Sequence, residues 1–287
     1  MKEFNGYTLK ALSFSDKEMS DILTLLCSTF KESETFSAEY LKWLYLENPV
    51  GKAVGFNAFG PSGQLAAHYV TVPVHCQFDN KIVKGLLSLN TATHPEHQGK
   101  GLFVALAEET YTFGASLGYE FVYGVANQNS THGFIKKLKF ALVGALEARI
   151  LILPPTCIEA APRIARHYSQ SELDWRLKNP AHSYELLSTK RGDFIIKKNR
   201  FKGTTALLKK INENFSVQAL EKATGIRSPY LFIGASSGFQ LSSGISWAIP
   251  HKFRPSPLNY IFRSINGKDV ALKYSDVHFE ALDFDAF

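Results

Sequence analysis

Long apolar runs are missing from this 287-residue sequence, and an apolar leader is missing from its start. No window comes near the roughly 18 uninterrupted apolar residues that a membrane-spanning helix needs. The opening segment, residues 1–6, lacks the apolar stretch of a signal peptide. These two absences predict a cytoplasmic protein that has no membrane partner.

Cysteine is also scarce, since the chain contains only Cys27, Cys76 and Cys157. The three lie far apart and show no CxxC or Cys/His ligand spacing. That pattern gives no support to a disulfide framework or a zinc site. We expect three reduced, buried small residues and no bound metal.

Runs of like charge are absent too. The net charge is +6, but lysines and arginines are spread over several segments, and none of those segments reaches five in a row. This distribution is typical of solvated faces and predicts no nucleic-acid partner. With 45% apolar and 20% charged residues, the chain has what a folded core requires, so disorder is not expected.

The apolar pattern of the first half changes from helical to strand-like near Ala53. Three- and four-residue spacing predicts a helix within residues 16–36 and a second over 36–46, which ends before Asn48-Pro49. Apolar runs separated by turn residues then predict an antiparallel meander. The predicted strands are 53–59, 64–78 and 81–93, followed by a helix over 102–117, a strand over 119–126, a helix over 130–138 and a strand over 141–153.

A short motif recurs in the second half. The segment 37–49 is echoed by 169–180, in which serine, leucine, tryptophan and Asn-Pro return in the same order, about 132 positions later. That spacing favours a duplicated domain over a solenoid, although chance similarity of two short helices remains an alternative. With a break at Pro154-Pro155, we predict two domains, 1–155 and 156–287.

After the second copy the pattern predicts further strands and one short helix. These lie at 184–188, 193–201, 204–211 and 230–233 for the strands, and at 217–223 for the helix. No glycine-bearing loop follows the third strand of this copy.

Two glycines flank a lysine between the third meander strand and the helix that follows it, in the order Gln98-Gly99-Lys100-Gly101. A helix start presents unpaired backbone N–H groups and the positive end of the helix dipole, so it favours an anion such as a diphosphate. Glycine lets the backbone approach such a ligand closely. Neither a Rossmann G-x-G-x-x-G fingerprint nor a P-loop is present.

Together with its neighbours, this loop resembles the acetyl-CoA motif of GNAT acetyltransferases. Gln98 and Gly101 match that motif, whereas Phe103 stands where the family has glycine or alanine. The segment 93–95 resembles the end of the family's fourth strand. The segment 127–140 resembles the Asn-x-x-Ala turn at the family's fifth strand and the helix ending in Gly-Phe that follows it. Ser130 stands in place of the alanine and Lys139 in place of the glycine.

The resemblance implies a mixed α+β GNAT fold, in which a central, mostly antiparallel twisted sheet is flanked by helices. A second, degenerate GNAT-like domain would follow it. Acetyl-CoA would be the co-substrate. Its diphosphate and pantetheine would be held by a set of positions in and beside the loop: Thr91, Thr93, Gln98, Gly99, Lys100, Gly101, Leu102, Phe103, Asn127 and Asn129.

The tyrosine that the family often uses as an acid is missing, because its place falls on Phe134 or Ile135. Candidate catalytic residues nearby are His132, Tyr123 and Asn90, with Ser88 as a substitute for Asn90. We favour His132, since an imidazole exchanges protons near neutral pH. The alternative is a solvent-exposed histidine at a helix start.

Two adjacent residues of the second meander strand, His68 and Tyr69, face opposite sides of the sheet. One of them could line an acceptor cleft, or each could fill core or surface.

The resemblance predicts an acetyl-CoA-dependent N-acetyltransferase in which an amine attacks directly. Long GNAT proteins of this type resemble enzymes that act on amino sugars or nucleotide-linked amino sugars for surface polysaccharides. Alternatives are a tandem-GNAT aminoacyl transferase and a non-catalytic acyl-CoA-binding sensor. The oligomeric state is open. Aromatic and polar residues of the second half would stack on a sugar or nucleotide, or would lie in the core: Tyr168, Trp175, Trp247, His251 and Arg254.

Overall fold

The computed structural model describes residues 2–30, 35–157, 162–198, 203–211, 215–217, 220–224, 229–236, 239–240, 245–254 and 256–284. The helices are α1 (Asp16–Thr29), α2 (Ala38–Leu46), α3 (Leu102–Ser116), α4 (Gln128–His132) and α5 (Gln170–Leu177). The strands are β1 (Lys2–Phe4), β2 (Tyr7–Ala11), β3 (Val54–Phe59), β4 (Leu65–Phe78), β5 (Lys81–Thr93), β6 (Phe121–Ala126), β7 (Ala141–Ala145), β8 (Glu147–Leu151), β9 (Thr156–Cys157), β10 (Ile164–His167), β11 (Glu185–Thr189), β12 (Gly192–Lys198), β13 (Thr205–Ile211), β14 (Glu221–Lys222), β15 (Tyr230–Ser236), β16 (Phe239–Gln240), β17 (Ser246–Ala248), β18 (Asn259–Ser264) and β19 (Val277–Glu280).

The helices of the first half begin where the sequence offers a capping side chain. Ser15 caps α1 by accepting from the Glu18 amide, and Ser37 caps α2 by accepting from the Tyr40 amide. The first helix, predicted within residues 16–36, begins at Asp16 and ends at Thr29. The described residues also include a hairpin, β1 and β2, that the sequence did not predict.

The first half forms the predicted meander. β2, β3, β4 and β5 pair antiparallel in chain order, and α3 then crosses over so that β6 pairs parallel to β5. Helices cover both faces, with α3 on one and α1 and α2 on the other. The predicted mixed α/β fold with a mostly antiparallel sheet is confirmed.

A bulge interrupts the pairing of β4 with β5. His68 pairs with Ala92 and Val70 with Leu89, so two residues of β5 lie opposite Tyr69 alone. One of the two, Asn90, has φ 46°, a left-handed conformation that asparagine tolerates better than most residues. Bulges bend a strand and re-aim its side chains.

The β5–β6 pairing is short. Its four rungs end at Ser88 and Gly124, so a gap opens between the later parts of the two strands. Gly124 fits this last rung because a Cβ there would lie 3.2 Å from the Ser88 carbonyl oxygen.

A strand from the second half enters the sheet of the first. β18 pairs antiparallel with β6 along residues 121–126 and, on its other edge, with β7. β10 also pairs with the far end of β4, and β8 pairs with β15. The sheet is therefore continuous across the predicted boundary at 155, which itself stays a prediction.

The echoed motif forms two equivalent helices that pack against each other. Trp43 of α2 stacks on Trp175 of α5 with ring centroids 4.7 Å apart. Each indole N–H donates to the backbone carbonyl of the other tryptophan, at 2.9 and 3.1 Å. The two copies thus make reciprocal contacts.

The second half contains the four strands that the sequence predicts, as β11, β12, β13 and β15. The predicted helix over 217–223 is wrong where the structure describes it, because Glu221–Lys222 is a strand that pairs parallel to β11. Residues 218–219 lie outside the described part.

Two further sequence predictions have clear outcomes. Cys76 is buried as expected, whereas Cys27 is exposed on α1, so the prediction of burial is wrong there. Among the described helices, none combines the length and the apolar character that a membrane span requires.

Candidate active site

A cavity of about 960 Å³ lies in the gap between β5 and β6. It runs from the start of α3, through the gap, to the face covered by α1. Phe30 and Phe36 lie at that face, and the second half contributes Ile261 and Phe284. The cavity gathers nearly all of the predicted site residues: Asn90, Thr91, Thr93, Gln98, Gly99, Lys100, Gly101, Leu102, Phe103, Asn127, Asn129 and His132.

The glycine loop has the backbone that an anion site needs. Gly99 and Gly101 have φ 74° and 80°, which suit glycine. Gly101 is the N-cap of α3, and no side chain caps this helix. The first amides of α3 therefore stay available to a ligand, with the dipole of a 15-residue helix behind them.

Phe103, which replaces the glycine or alanine of the GNAT motif, packs against the segment on the opposite side of the cavity. Its ring packs edge-on against Phe134, one of the two candidate positions for the usual tyrosine, with centroids 5.2 Å apart. A Cβ at Gly133 would lie 2.9 Å from the Phe103 ring. The larger residue in the loop is thus accommodated by a glycine in the segment opposite.

The two asparagines at the end of β6 have different environments. Asn127 caps α4, because its Oδ1 accepts from the Ser130 amide at 2.9 Å and Ser130 Oγ bonds back to the Asn127 amide. Asn129 is exposed in the cavity wall. Of the two, Asn129 has the carboxamide better placed for a ligand.

A family model described as an acetyltransferase (GNAT) domain matches residues 11–142. The matched stretch makes up slightly less than half of the chain and contains the meander, the glycine loop, α3 and β6. The chain is therefore an acyltransferase, and acyl-coenzyme A is the donor of such domains. No curated protein sequence matches the chain.

Solved structures share the fold over most of the chain. A conserved protein of unknown function from Enterococcus faecalis V583, a probable N-acyltransferase, has a TM-score of 0.59 at 14% identity. Eis1 from Mycobacterium abscessus has 0.59 at 11%, and a GCN5-related N-acetyltransferase from Anabaena variabilis has 0.57 at 12%. In each case 90% of this chain and 73% of the other are covered.

The GNAT fold brings two of the three candidate catalytic residues to the cavity. His132, the last residue of α4, is exposed there, and Asn90 lies on the bulge. Tyr123 does not line the cavity; its side chain is 1% exposed and packs between Tyr260 and Phe279. Burial raises its pKa well above the ordinary value, which further disfavours proton exchange.

On the face of α1 and α2, a chain of buried polar groups leads to Asn90. Glu18 Oε1 accepts from Asn57 Nδ2 at 2.8 Å, and Asn57 Oδ1 lies 2.7 Å from His68 Nδ1. His68 Nε2 lies 3.2 Å from the Tyr45 hydroxyl, which in turn lies 3.4 Å from Asn90 Nδ2. His68 is wholly buried, and burial lowers its pKa to about 3, so the ring is neutral.

Hydrogen-bond chemistry fixes the direction of this Glu18–Asn90 chain. Asn57 uses its N–H on Glu18, so its oxygen must accept from a protonated His68 Nδ1. The bare Nε2 of the neutral ring then accepts from the Tyr45 hydroxyl, whose oxygen accepts from Asn90. Asn90 therefore has its carbonyl oxygen left for a donor in the cavity.

On the opposite face, Tyr69 and Tyr111 lead to Ser88. The Tyr69 hydroxyl lies 2.8 Å from Ser88 Oγ and 2.6 Å from the Tyr111 hydroxyl. Tyr69 is fully buried and its pKa is raised by burial to about 12. Arg263 of β18 lies over the Tyr111 ring at 4.9 Å and bonds Glu108 of α3. His68 and Tyr69 thus face opposite sides, as predicted, and each is part of a chain that ends at the cavity.

Other residues named from the sequence lie elsewhere. Tyr168 is buried and Trp175 stacks on Trp43, while Trp247 is 54% exposed on β17. Neither these three nor His251 and Arg254 line the cavity. The second half reaches the cavity through Ile261 and Phe284, which no motif marks in the sequence.

One group of potential metal ligands lies beside the loop. Within the described residues, His94, Glu96 and His97 bring ligand atoms within 4.8 Å of one another. His94 Nδ1 accepts from the Glu96 amide, and His97 Nδ1 bonds the Tyr7 hydroxyl at 2.8 Å. Because these ring nitrogens serve the turn before α3, we assign no ion to them.

Proposed function

We propose that the chain is an N-acetyltransferase whose donor is acetyl-CoA and whose acceptor is a small amine, with an amino sugar or nucleotide-linked amino sugar as the class. The observation that carries the proposal is the cavity itself. Its open helix start suits a diphosphate at one end, and the oriented oxygen of Asn90 suits an amine N–H at the other.

The acceptor class is supported by the mixed lining of the far end. Rings of Phe30, Phe36 and Phe284 offer apolar surface to the C–H face of a sugar, while Asn90 and His132 offer polar groups. Such a combination suits a small polar ring better than a long cationic chain.

The chemistry assigned to the residues is simple. Acetyl-CoA supplies an activated thioester. Asn90 orients the amine by accepting one N–H, and His132 takes the proton that the nitrogen loses as its C–N bond forms and the C–S bond breaks. The amides of Gln98 to Phe103 hold the diphosphate, and Thr91, Thr93 and Asn129 hold the pantetheine.

We also propose that the chain arose as a tandem GNAT protein. The reciprocal contacts of Trp43 and Trp175 support this, because duplicated helices meeting about a pseudo-twofold axis make matching bonds in both directions. A cytoplasmic location remains part of the same proposal, since acetyl-CoA and nucleotide sugars are found there.

Release of free thiol from acetyl-CoA tests the function across a panel of hexosamines, nucleotide-linked amino sugars, polyamines and peptide amines. We expect turnover on at least one amino sugar and none on the peptides. Turnover on other amines only would refute the acceptor class. Binding of acetyl-CoA without turnover on any amine would favour the sensor instead.

His132→Ala tests the assigned proton acceptor in the same assay. We expect kcat to fall by more than about tenfold, since general acid–base groups typically contribute more than that. The matched control is His251→Ala, which removes an exposed histidine outside the cavity. A smaller loss than tenfold would remove His132 from the mechanism.

A further inference from the structure

The proposed reaction still lacks a group for the leaving sulfur, because the place of the usual tyrosine falls on Phe134 or Ile135, and neither carries a hydroxyl. The second polar chain, Tyr111–Tyr69–Ser88, ends in the same cavity on the face of α3. The direction in which its hydroxyls donate follows from Tyr111, the buried end of the chain.

Tyr111 is the closed end. Its side chain is 2% exposed, and within the described part of the chain its hydroxyl has one hydrogen-bond partner, the Tyr69 hydroxyl. A buried hydroxyl proton needs an acceptor. The guanidinium of Arg263 over its ring is a cation and accepts nothing. Tyr111 must therefore donate to Tyr69.

The direction then passes along the chain. A hydroxyl has one proton to donate, and the oxygen of Tyr69 already accepts from Tyr111. Tyr69 therefore gives its proton to Ser88 Oγ. Ser88 is left with a proton that no described side chain takes, next to the cavity.

The position of Ser88 matches the reacting end of the gap. Ser88 and Gly124 form the last rung of the β5–β6 ladder, so a ligand that enters between the strands from the start of α3 stops there. Gly124 leaves the space beside Ser88 open, because a Cβ at 124 would be in van der Waals contact with Ser88 Cβ, at 3.6 Å.

We propose that Ser88 is the hydrogen-bond donor that stabilises the coenzyme A thiolate, and that Tyr69 and Tyr111 position its proton. This inference rests on the proposed function. As the amine nitrogen bonds the acyl carbon, the C–S bond breaks and its electron pair goes to sulfur. Ser88 donates to that sulfur and keeps its own proton, while the nitrogen loses its proton to His132; solvent then protonates the thiolate.

The two chains therefore have opposite polarity at the cavity. The Glu18–Asn90 chain ends in an acceptor on the amine side, and the Tyr111–Tyr69–Ser88 chain ends in a donor on the sulfur side. The two chains pass through adjacent residues of β4, His68 and Tyr69, which strand alternation directs to opposite faces.

The test measures the thiol pKa of bound coenzyme A from its thiolate absorbance, with no acceptor present. Ser88→Ala should raise that pKa by about one, a roughly tenfold change in acid dissociation, because a donor to the anion is lost. Ser88→Thr, which keeps the hydroxyl, should leave it near the original value. Tyr111→Phe removes the hydroxyl that fixes the direction of donation along the chain. The thiol pKa in this variant should lie between the values for Ser88→Ala and the original protein.

Turnover gives the second measurement. Ser88→Ala should lower kcat by about tenfold to a hundredfold and change KM for acetyl-CoA little, as expected for a donor that acts in the transition state. Ser116→Ala, an exposed serine at the end of α3, is the matched control.

The outcomes separate this inference from the proposed function. An unchanged thiol pKa in Ser88→Ala overturns the inference even when an amino sugar is acetylated. Conversely, failure of every amine acceptor overturns the proposed function, whereas a raised thiol pKa in Ser88→Ala would still support the donor. If the protein bound no coenzyme A, both would fall.

Discussion

His68 shows how one buried residue can be costly and useful at once. Its ring is fully enclosed and bonded on both nitrogens, to Asn57 and Tyr45. Burial disfavours the charged form, so its pKa falls from 6.5 to about 3. The neutral ring is what sets the direction of the Glu18–Asn90 chain, since an imidazolium would donate from both nitrogens.

The lowered pKa of His68 predicts a pH dependence of stability. Between pH 6.5 and about 3, His68 is protonated in the unfolded state but stays neutral in the folded state. The free energy of unfolding therefore falls as pH falls through this window. The loss of unfolding free energy is on the order of 5 kcal/mol once the whole window has been crossed. Urea unfolding at a series of pH values measures it.

His68→Gln removes the titrating group, so the variant should be less stable at pH 7 but should lose less stability between pH 6.5 and 3. His251→Gln, at an exposed site, is the control and should keep the original slope. Identical slopes for the original protein and His68→Gln would refute the assignment.

At the scale of elements, the glycine loop is the part most fully predictable from sequence. Helix starts bind anions through backbone groups, so the order strand, loop, helix and the two glycines are enough to place it. The bulge at Asn90 is different, because it depends on how β4 and β5 pair. No local pattern in β5 gives that register, and without it the direction of the Asn90 side chain is unknown.

The loop also yields a prediction with a matched control. Gly101→Ala places a side chain at φ 80° at the start of α3, and Gly118→Ala places one at φ 85° just beyond its end. Each should lower the free energy of unfolding by about 1 kcal/mol, since both conformations suit glycine.

Only Gly101→Ala should weaken coenzyme A binding, because only there are the shifted amides part of the anion site. We expect at least about a tenfold higher Kd by calorimetry, or about 1.4 kcal/mol. Equal affinities in the two variants would show that the loop amides do not hold the diphosphate.

For the whole molecule, the long-range pairing of β18 matters most. The sequence suggests two domains because a repeated motif and a double proline are local signals. No local sequence signal predicts that 259–264 inserts between β6 and β7, since the apolar pattern of a short strand does not indicate which strands it pairs with. Ile261 reaches the cavity for this reason alone, so no motif search could have named it.

A continuous sheet predicts one cooperative unfolding transition rather than the two expected of independent domains. Phe262 of β18 is 2% exposed and stacks on Phe121 of β6 at 5.2 Å. Phe262→Ala should cost about 3 to 5 kcal/mol, as core phenylalanines do. Tryptophan fluorescence and far-UV circular dichroism should shift together to lower denaturant.

Phe253→Ala is the matched control, because that ring is 69% exposed and its loss should change the free energy of unfolding by no more than about 0.5 kcal/mol. Two separated transitions, with only the later or the earlier one moved by Phe262→Ala, would show that the halves unfold independently. In that case the boundary near 155 would divide two folding units. The first half would stay folded without the pairing of β18 to β6. A single shifted transition means instead that the cavity depends on both halves, since the strand that carries Ile261 also holds β6 in place.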